Sequence, residues 1–218
     1  MPMNADTVLP CLDEAAALPR LLRALPPGFR PIVVDNGSVD GSPEIAAALG
    51  AKVVHEPRRG YGAAVHTGLE HATTDIVCFL DADGSLDPAD LPRLAGAVAR
   101  GADLAVGRRM PIARDVWPWH ARLGNHILAR LLRRRGVPVH DIAPIRAARR
   151  QALLDLDVTD RAFGYPLELL VKAGRAGLAI EEFDVAYRPR AAGTKSKVSG
   201  SLRGTARAVR DMAKVLRR

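Results

Sequence analysis

The sequence predicts an α/β fold in which helices flank a mostly parallel central sheet. Two observations predict it. Short apolar runs alternate with segments of helical apolar spacing along residues 7–107, and the joints between them are rich in Pro, Gly, Asn and Asp. Because parallel neighbours must be joined by crossover connections, which are usually helices, this alternation indicates a parallel sheet. A chain of 218 residues with 48% apolar side chains can bury the core of one such domain.

The first half of the chain contains four predicted strand–helix units and a fifth strand. The predicted strands are apolar runs at residues 7–10, 31–35, 51–54, 75–80 and 104–107. The predicted helices cover residues 14–25, a segment that starts at residue 42, residues 60–72 and residues 88–100. A Pro-Pro-Gly sequence ends the first helix. Ser42-Pro43 and Asp87-Pro88 each place an N-cap residue before a proline in the first turn.

The second half of the chain is less regular. Its predicted elements are helices at residues 119–135, 166–174 and 201–216 and a strand at residues 180–187. The helix at 119–135 places four apolar side chains on one face: Leu123, Ile127, Leu131 and Leu132. No internal repeat or low-complexity linker interrupts the chain. The sequence therefore predicts one domain, residues 1–200, followed by a basic amphipathic helix, residues 201–218.

Two of the predicted strands end in carboxylates. Asp35 ends the second strand, and Asp81 and Asp83 follow the fourth. In a parallel sheet both ends lie on the carboxyl edge, where α/β proteins bind ligands. Asp81 and Asp83 project to the same side of an extended chain and repel each other unless a cation lies beside them, and Mg²⁺ or Mn²⁺ prefers such oxygen ligands. Two interpretations are open: a metal–diphosphate site, or an acidic turn that caps the next helix.

A glycine-containing loop, Gly60-Tyr61-Gly62, precedes the third helix. Glycines at such a position let backbone N–H groups approach a ligand, and a helix N-terminus favours an anion. The loop is not a dinucleotide fingerprint, because the third glycine is absent, and it is not a P-loop, because no Gly-Lys-Ser/Thr follows. The loop therefore excludes these two classes of nucleotide site.

The positive charge of the chain is concentrated near its end. Residues 186–218 carry ten Lys or Arg and one acidic residue, whereas residues 1–185 carry 22 Lys or Arg and 23 Asp or Glu. A nucleic-acid-binding face would spread basic residues among aromatic ones, but the basic segment has a single aromatic residue, Tyr187. The pattern argues against a nucleic-acid binder and for a local contact with an anionic partner.

The last helix combines a basic and an apolar stripe. The basic stripe is Arg203, Arg207, Arg210, Lys214 and Arg217, and an apolar stripe lies beside it. Two interpretations are open. The helix lies in an anionic membrane surface, which would make the protein peripheral at the membrane, or it packs on the domain with its basic face in water.

Cysteine usage and hydropathy indicate a cytoplasmic protein. Cys11 and Cys78 lie in apolar strand-like runs, which is typical of small core residues in a reducing compartment. The first residues lack the pattern of a signal peptide, and no apolar stretch approaches the roughly 20 residues that span a bilayer.

Seven segments, taken together, resemble the family 2 glycosyltransferases of the GT-A fold, especially the dolichol-phosphate mannosyltransferase-like group. They are residues 9–14, 33–41, 60–64, 79–84, 107–109, 141–146 and 196–200. They occur in the family's order and cover most of the chain. The resemblance implies a GT-A catalytic domain over residues 1–200.

The resemblance also implies roles for individual residues. The nucleotide pocket would comprise Pro10, Leu12, Glu14, Asp35, Gly60, Tyr61, Gly62, Asp81 and Ala82. Asp83 would be the main protein ligand of Mg²⁺ or Mn²⁺, with Asp81 on the ribose or metal side. The groups that hold phosphates or the acceptor would be Arg108, Arg146, Lys195 and Lys197. The catalytic set would be Asp83, Asp141 and Arg146.

The implied reaction is an inverting transfer of a sugar from a GDP- or UDP-sugar, and two acceptor classes stay open. A polyprenyl (dolichyl-type) phosphate already carries a nucleophilic oxygen at neutral pH and needs positioning cations. A hydroxyl acceptor needs a general base, for which Asp141 is the candidate. The alternative role for Asp141 is structural, as the ion-pair partner of a nearby arginine. A nucleotidyltransferase would instead carry a glycine-rich loop after the first strand, and residues 10–14 contain no glycine.

Overall fold

Seven strands form one sheet with helices on both faces. The computed structural model describes residues 3–142, 144–191 and 202–216, and the side chains of residues 202–206 lie outside that description. The strands are β1 (Ala5–Cys11), β2 (Phe29–Asp35), β3 (Lys52–His55), β4 (Ile76–Phe79), β5 (Leu104–Pro111), β6 (Arg146–Arg149) and β7 (Ile180–Tyr187). The helices are α1 (Leu18–Arg23), α2 (Ser42–Ala48), α3 (Tyr61–His71), α4 (Leu91–Ala99), α5 (Trp119–Arg134), α6 (Arg150–Asp155), α7 (Tyr165–Arg175) and α8 (Leu202–Leu216).

The strand order is β3-β2-β1-β4-β6-β5-β7. The pairs β2–β3, β1–β2, β1–β4 and β5–β7 are parallel, and only β6 among the strands described runs antiparallel to its neighbours, β4 and β5. The predicted mostly parallel sheet is confirmed. Because β2 and β4 both lie beside β1, their carboxyl ends share one edge of the sheet.

Alternation along the buried strands divides the core into two layers. In β1, Ala5, Leu9 and Cys11 join the apolar cluster beneath α1, α2 and α4, whereas Val8 joins the cluster beneath α3, α6 and α7. Cys11 and Cys78 are free and buried, as predicted. Loops that leave the carboxyl edge are therefore held on both sides by packed helices.

Two predicted boundaries differ from the structure for identifiable reasons. The first helix begins at Leu18 rather than residue 14, and the preceding segment is fixed to the next loop, where the N–H groups of Glu14 and Ala15 donate to Ser42 and Asp40. Strand β6 was not predicted, because its four residues, Arg-Ala-Ala-Arg, lack the β-branched and aromatic side chains that mark a strand. The segment is a strand because it pairs with β4 on one side and β5 on the other.

The described part of α8 packs on the domain. Ala208, Asp211 and Val215 are buried, and Met212 packs against the cluster beneath α7. Its basic side chains Arg207, Arg210 and Lys214 are exposed. For these residues the structure agrees with the second interpretation of the last helix, in which it packs on the domain with its basic face in water. None of the helices in the described ranges is both long and apolar enough to cross a membrane.

Candidate active site

β4 leads directly into the paired carboxylates at the edge of the sheet. Asp81 faces a cavity and accepts a hydrogen bond from the Tyr61 hydroxyl at 3.2 Å. Asp83 is 2% exposed. One of its oxygens accepts the N–H of Ser85 at 2.9 Å, and the other pairs with a guanidinium nitrogen of Arg190 at 2.7 Å. The two acids therefore have different surroundings: Asp81 is open to a ligand, and Asp83 is held by a cation from the segment that follows β7.

The electrostatics of this pair favour an additional positive charge. Burial and the charge of Asp83 raise the pKa of Asp81 to about 6, although Arg190, Arg109 and the Tyr61 hydroxyl act in the opposite direction. Burial and the proximity of Asp81 raise the pKa of Tyr61 well above its usual value, so this hydroxyl stays a donor. The carboxylate pair is thus incompletely neutralised by the side chains around it.

The carboxylate oxygens of Asp81 and Asp83 fit a hard divalent cation that takes its remaining ligands from a substrate. No group of three His, Cys, Asp or Glu side chains that could hold a metal occurs within the described residues. Two carboxylates that repel each other can supply one or two oxygen ligands, and Mg²⁺ commonly takes its other ligands from phosphates and water. Asp81 and Asp83 offer such oxygens, and a cation held by both would have to displace the Arg190 guanidinium from Asp83.

Asp35, at the end of β2, organises the neighbouring loop. It is buried, and its oxygens accept the N–H groups of Gly37 at 3.2 Å and Ser38 at 3.0 Å and contact His55 Nδ1 at 3.1 Å. Burial alone would raise its pKa, but hydrogen bonds from Ser38 and His55 hold it below the usual value. Asp35 therefore stays ionised. It caps the turn after β2, and its contact with a base or ribose stays a prediction.

The segment after β1 is fixed to this same loop. Glu14 is buried with its N–H on Ser42 Oγ at 3.0 Å, whereas Pro10 and Leu12 are partly exposed at the sheet edge. Ala82 is buried in the core, so only its backbone can contact a nucleotide. The assignment of these residues to a nucleotide pocket stays a prediction.

The glycines of residues 60–62 serve a close contact within the protein. Gly60 N–H donates to Asn36 Oδ1 at 2.8 Å, and Gly62 N–H donates to the Ala162 carbonyl at 3.0 Å. A Cβ on Gly60, whose φ is +149°, would lie 2.1 Å from the Arg161 carbonyl oxygen. The Gly60 N–H is therefore bonded to the loop after β2 and the Gly62 N–H to the segment before α7. The assignment of Gly60, Tyr61 and Gly62 to a nucleotide pocket stays a prediction.

Asp141 is the partner of a buried arginine. Its two oxygens accept hydrogen bonds from Nε and Nη2 of Arg109 at 2.8 and 2.7 Å, and Arg109 N–H donates to it at 2.9 Å. The Arg109 guanidinium also lies 4.0 Å from the ring centroid of Trp117 and 5.5 Å from that of Tyr187. The structure therefore agrees with the second interpretation of Asp141, a structural partner of an arginine. Both carboxylate oxygens are bonded to Arg109, so Asp141 is not positioned as a general base.

Two of the predicted phosphate-holding arginines, Arg108 and Arg146, do not line the cavity, although Arg146 lies near enough to interact with Tyr61 and Asp81. Arg108 forms a two-pronged pair with Asp184 at 2.6 and 2.7 Å on the surface. Because β5 continues to Pro111, Arg108 and Arg109 project to opposite sides of a strand, and Arg109 is the one that lines the cavity. Arg146 is buried and donates to the Ile142 carbonyl. It lies outside the set of described residues that line the cavity. Lys195 and Lys197 lie outside the described residues.

The cavity next to Asp81 has a charged end and a largely apolar wall. Its volume is about 530 Å³. Asp81, Arg109 and Arg190 lie close enough to influence one another and form the charged end. A fourth charged residue, Asp115, also lines the cavity. The apolar wall includes Val116, Trp117, Pro118, Ile142, Phe163, Pro166 and Met212. The sequence did not single out Arg109, Arg190 or Trp117. Strand alternation after Gly107 was the available signal for Arg109, whereas Arg190 was counted only within the basic segment at the end of the chain.

A mostly parallel α/β sheet with paired acids at its carboxyl edge is typical of a class of protein, the nucleotide-sugar transferases of the GT-A fold. Structural similarity agrees. Glucosyl-3-phosphoglycerate synthase from Mycobacterium tuberculosis, solved with Mn²⁺, UDP and glucosyl-3-phosphoglycerate, superposes with a TM-score of 0.79 at 25% identity, over 99% of this chain and 79% of that one. The predicted fold class is confirmed.

Sequence comparison gives the family. Residues 6–156 match the family described as Glycosyl transferase family 2. An uncharacterized glycosyltransferase of Mycobacterium tuberculosis is 57% identical over 210 residues, 96% of each chain. The undecaprenyl-phosphate mannosyltransferase of Micrococcus luteus is 32% identical over 226 residues, 94% of this chain and 91% of that one. The chain belongs to glycosyltransferase family 2, and the predicted resemblance is confirmed.

Proposed function

We propose that the protein transfers a sugar from a UDP- or GDP-sugar to a polyprenyl phosphate, with inversion at the anomeric carbon, in a reaction that needs Mg²⁺ or Mn²⁺. The observation that carries the proposal is the union of a charged end and an apolar wall in one cavity. A lipid phosphate has the same two parts: an anionic head that suits Arg109, and a hydrocarbon chain that suits the apolar wall. The name of the Micrococcus luteus relative supports this acceptor class.

The nucleoside-diphosphate sugar would lie at the carboxyl edge of the sheet, where Asp35 ends β2 and Asp81 follows β4, on either side of β1. Asp83 and Asp81 would hold the divalent cation, which supplies positive charge to the diphosphate as it departs. Release of Arg190 from Asp83 would free a guanidinium beside Asp81 for the same diphosphate. The Mn²⁺ and UDP in the glucosyl-3-phosphoglycerate synthase structure support this donor chemistry.

The state of Asp141 favours a phosphate acceptor over a hydroxyl acceptor. A hydroxyl must lose a proton as it attacks, and the candidate base has both oxygens on Arg109. A phosphate oxygen attacks without that transfer, and it needs a fixed cation near the anomeric carbon. Arg109, held by Asp141 and stacked on Trp117, would supply that cation. In this proposal Asp141 is a positioning residue.

The test is a transfer assay with two acceptor arms. The whole chain is incubated with radiolabelled UDP-glucose or GDP-mannose, with and without Mn²⁺, in the presence of either undecaprenyl phosphate or phosphoglyceric acid. We expect label in the organic phase only with the lipid phosphate and the metal. Label in a water-soluble product made only from phosphoglyceric acid would overturn the acceptor, and transfer unaffected by EDTA would overturn the metal.

A further inference from the structure

We propose that α5 docks the protein on an anionic phospholipid surface through the α5 outer face, defined as Trp119, Leu123, Ile127, Arg130 and Arg134. The three apolar side chains are 75%, 51% and 50% exposed. Seven large apolar side chains are exposed among the residues described, and five of them fall between Met110 and Ile127. Scattered single exposures are ordinary in proteins, but a cluster of this kind marks a contact surface.

Helical geometry places these side chains together. Residues 119, 123 and 127 follow one another at steps of four along one stripe, and Arg130 and Arg134 continue that stripe. Ala129 and Leu132, the buried residues of α5, lie on the opposite side of the helix. The sequence prediction that Leu123 and Ile127 share the face of Leu132 is wrong. The helix uses one apolar side for the domain and presents a second to its surroundings.

The charge of α5 identifies the partner. The helix contains four arginines and no acidic residue. A second copy of this chain, paired about a two-fold axis through this face, would add four more arginines from α5 and no acidic side chain from α5 to neutralise them. A bilayer with anionic headgroups instead accepts Trp119 at the interface, apolar side chains at the acyl boundary and arginines among the phosphates. The α5 outer face therefore matches an anionic membrane surface.

The position of α5 links this surface to the cavity. Trp117 lines both the cavity beside Asp81 and a second, shallower pocket that it shares with Trp119 and Leu123. A lipid phosphate in the bilayer could enter the cavity along this path without crossing water, an argument that rests on the proposed function. The docking itself rests only on α5. In the described part of α8, by contrast, Val209 is the one large apolar side chain that is exposed.

The experiment is flotation of the whole chain with two kinds of vesicle, phosphatidylcholine alone and phosphatidylcholine with phosphatidylglycerol. We expect binding to the anionic vesicles, reduced about tenfold or more by the double substitution Leu123→Glu and Ile127→Glu. The matched control is Val209→Glu, a change of the same kind on α8, which should alter binding less than twofold. Equal loss in both variants, or unchanged binding of the double variant, would overturn the proposal.

Three further readouts separate the causes. Unchanged thermal stabilisation by UDP and Mn²⁺ would show that the double variant is folded. Sedimentation velocity tests the other occupant, since a wild-type dimer that the double substitution dissociates, without vesicle binding, would overturn the proposal. If the chain floats with vesicles but transfers no sugar to any polyprenyl phosphate, the proposed function fails and the docking stands.

Discussion

Two arginine–carboxylate pairs border the same cavity, and they are built differently. Arg109 makes three hydrogen bonds to Asp141 and stacks on Trp117, and its side chain is 15% exposed. Arg190 approaches Asp83 at 2.7 Å, and its side chain is 29% exposed. The first pair is a fixed part of the wall. The second is a single contact to the carboxylate proposed to bind metal, and in that proposal Arg190 is a counter-ion that the metal replaces. The same pair of residue types can thus have two roles at one site: Arg109 with Asp141 as a fixed support and, in the proposal, Arg190 as an ion that holds the place of the metal at Asp83.

The largest effect is expected from removing the acid of the replaceable pair. Asp83→Ala should lower kcat for sugar transfer by about 10³-fold, because the charge that accumulates on the departing diphosphate loses its cation. The measurement is transfer to undecaprenyl phosphate at saturating Mn²⁺. The control is Asp87→Ala, which breaks the surface pair with Arg188 and should leave kcat within a few-fold. Similar losses in both variants would contradict the special role of Asp83.

Removing the acid of the fixed pair should act on stability. Asp141→Ala leaves the Arg109 guanidinium buried without its carboxylate, and the free energy of unfolding should fall by about 3–5 kcal/mol in urea denaturation. The control is Asp184→Ala, which breaks the more exposed pair with Arg108 and should cost less than about 1 kcal/mol. If the two variants lose equal stability, the Arg109 pair is not a fixed support.

The pKa of Asp81 gives the comparison a pH dependence. Since the folded state raises that pKa from its ordinary value of 3.8 to about 6, folding takes up a proton between these two pH values. The stabilisation is complete below about pH 4 and is lost as pH rises through 6. Without metal, Asp81→Asn should therefore gain stability relative to the wild type between pH 4 and 7, by about 2 kcal/mol. A pH-independent difference in urea denaturation would contradict the repulsion between the two acids.

The smallest effect is expected from Arg190→Ala. The substitution removes the cation that competes at Asp83, so Mn²⁺ should bind the nucleotide-free protein several-fold more tightly. Because Asp83 is buried, the metal-free protein should lose about 1–2 kcal/mol of unfolding free energy when it loses this cation. Calorimetric titration with Mn²⁺ measures this change. Arg188→Ala, on the neighbouring pair with Asp87, is the matched control. Weaker Mn²⁺ binding in Arg190→Ala alone would show that Arg190 supports the metal site and does not compete with it.

The sequence predicted the parallel part of the fold and the acids at its edge, because both depend on local patterns. Asp35, Asp81 and Asp83 each end or follow an apolar strand, so their common edge follows from parallel pairing alone. Arg109 and Arg190 were not found, because their roles depend on which side of a strand faces the cavity and on how a later segment returns to β4. The outward side of α5 was missed for a similar reason. Apolar spacing shows that a helix has apolar stripes, but not which stripe the domain covers.

The antiparallel strand β6 has a consequence for the order of folding. β4 lies between β1 and β6, and its residues Val77, Cys78 and Phe79 are buried. Until residues 146–149 pair with it, β4 is an apolar edge strand, and such edges pair readily with other chains. Fragments that end before residue 146 would carry both carboxylates and all of β1 to β5, yet they would expose this edge. By covering this edge, β6 protects the chain against aggregation.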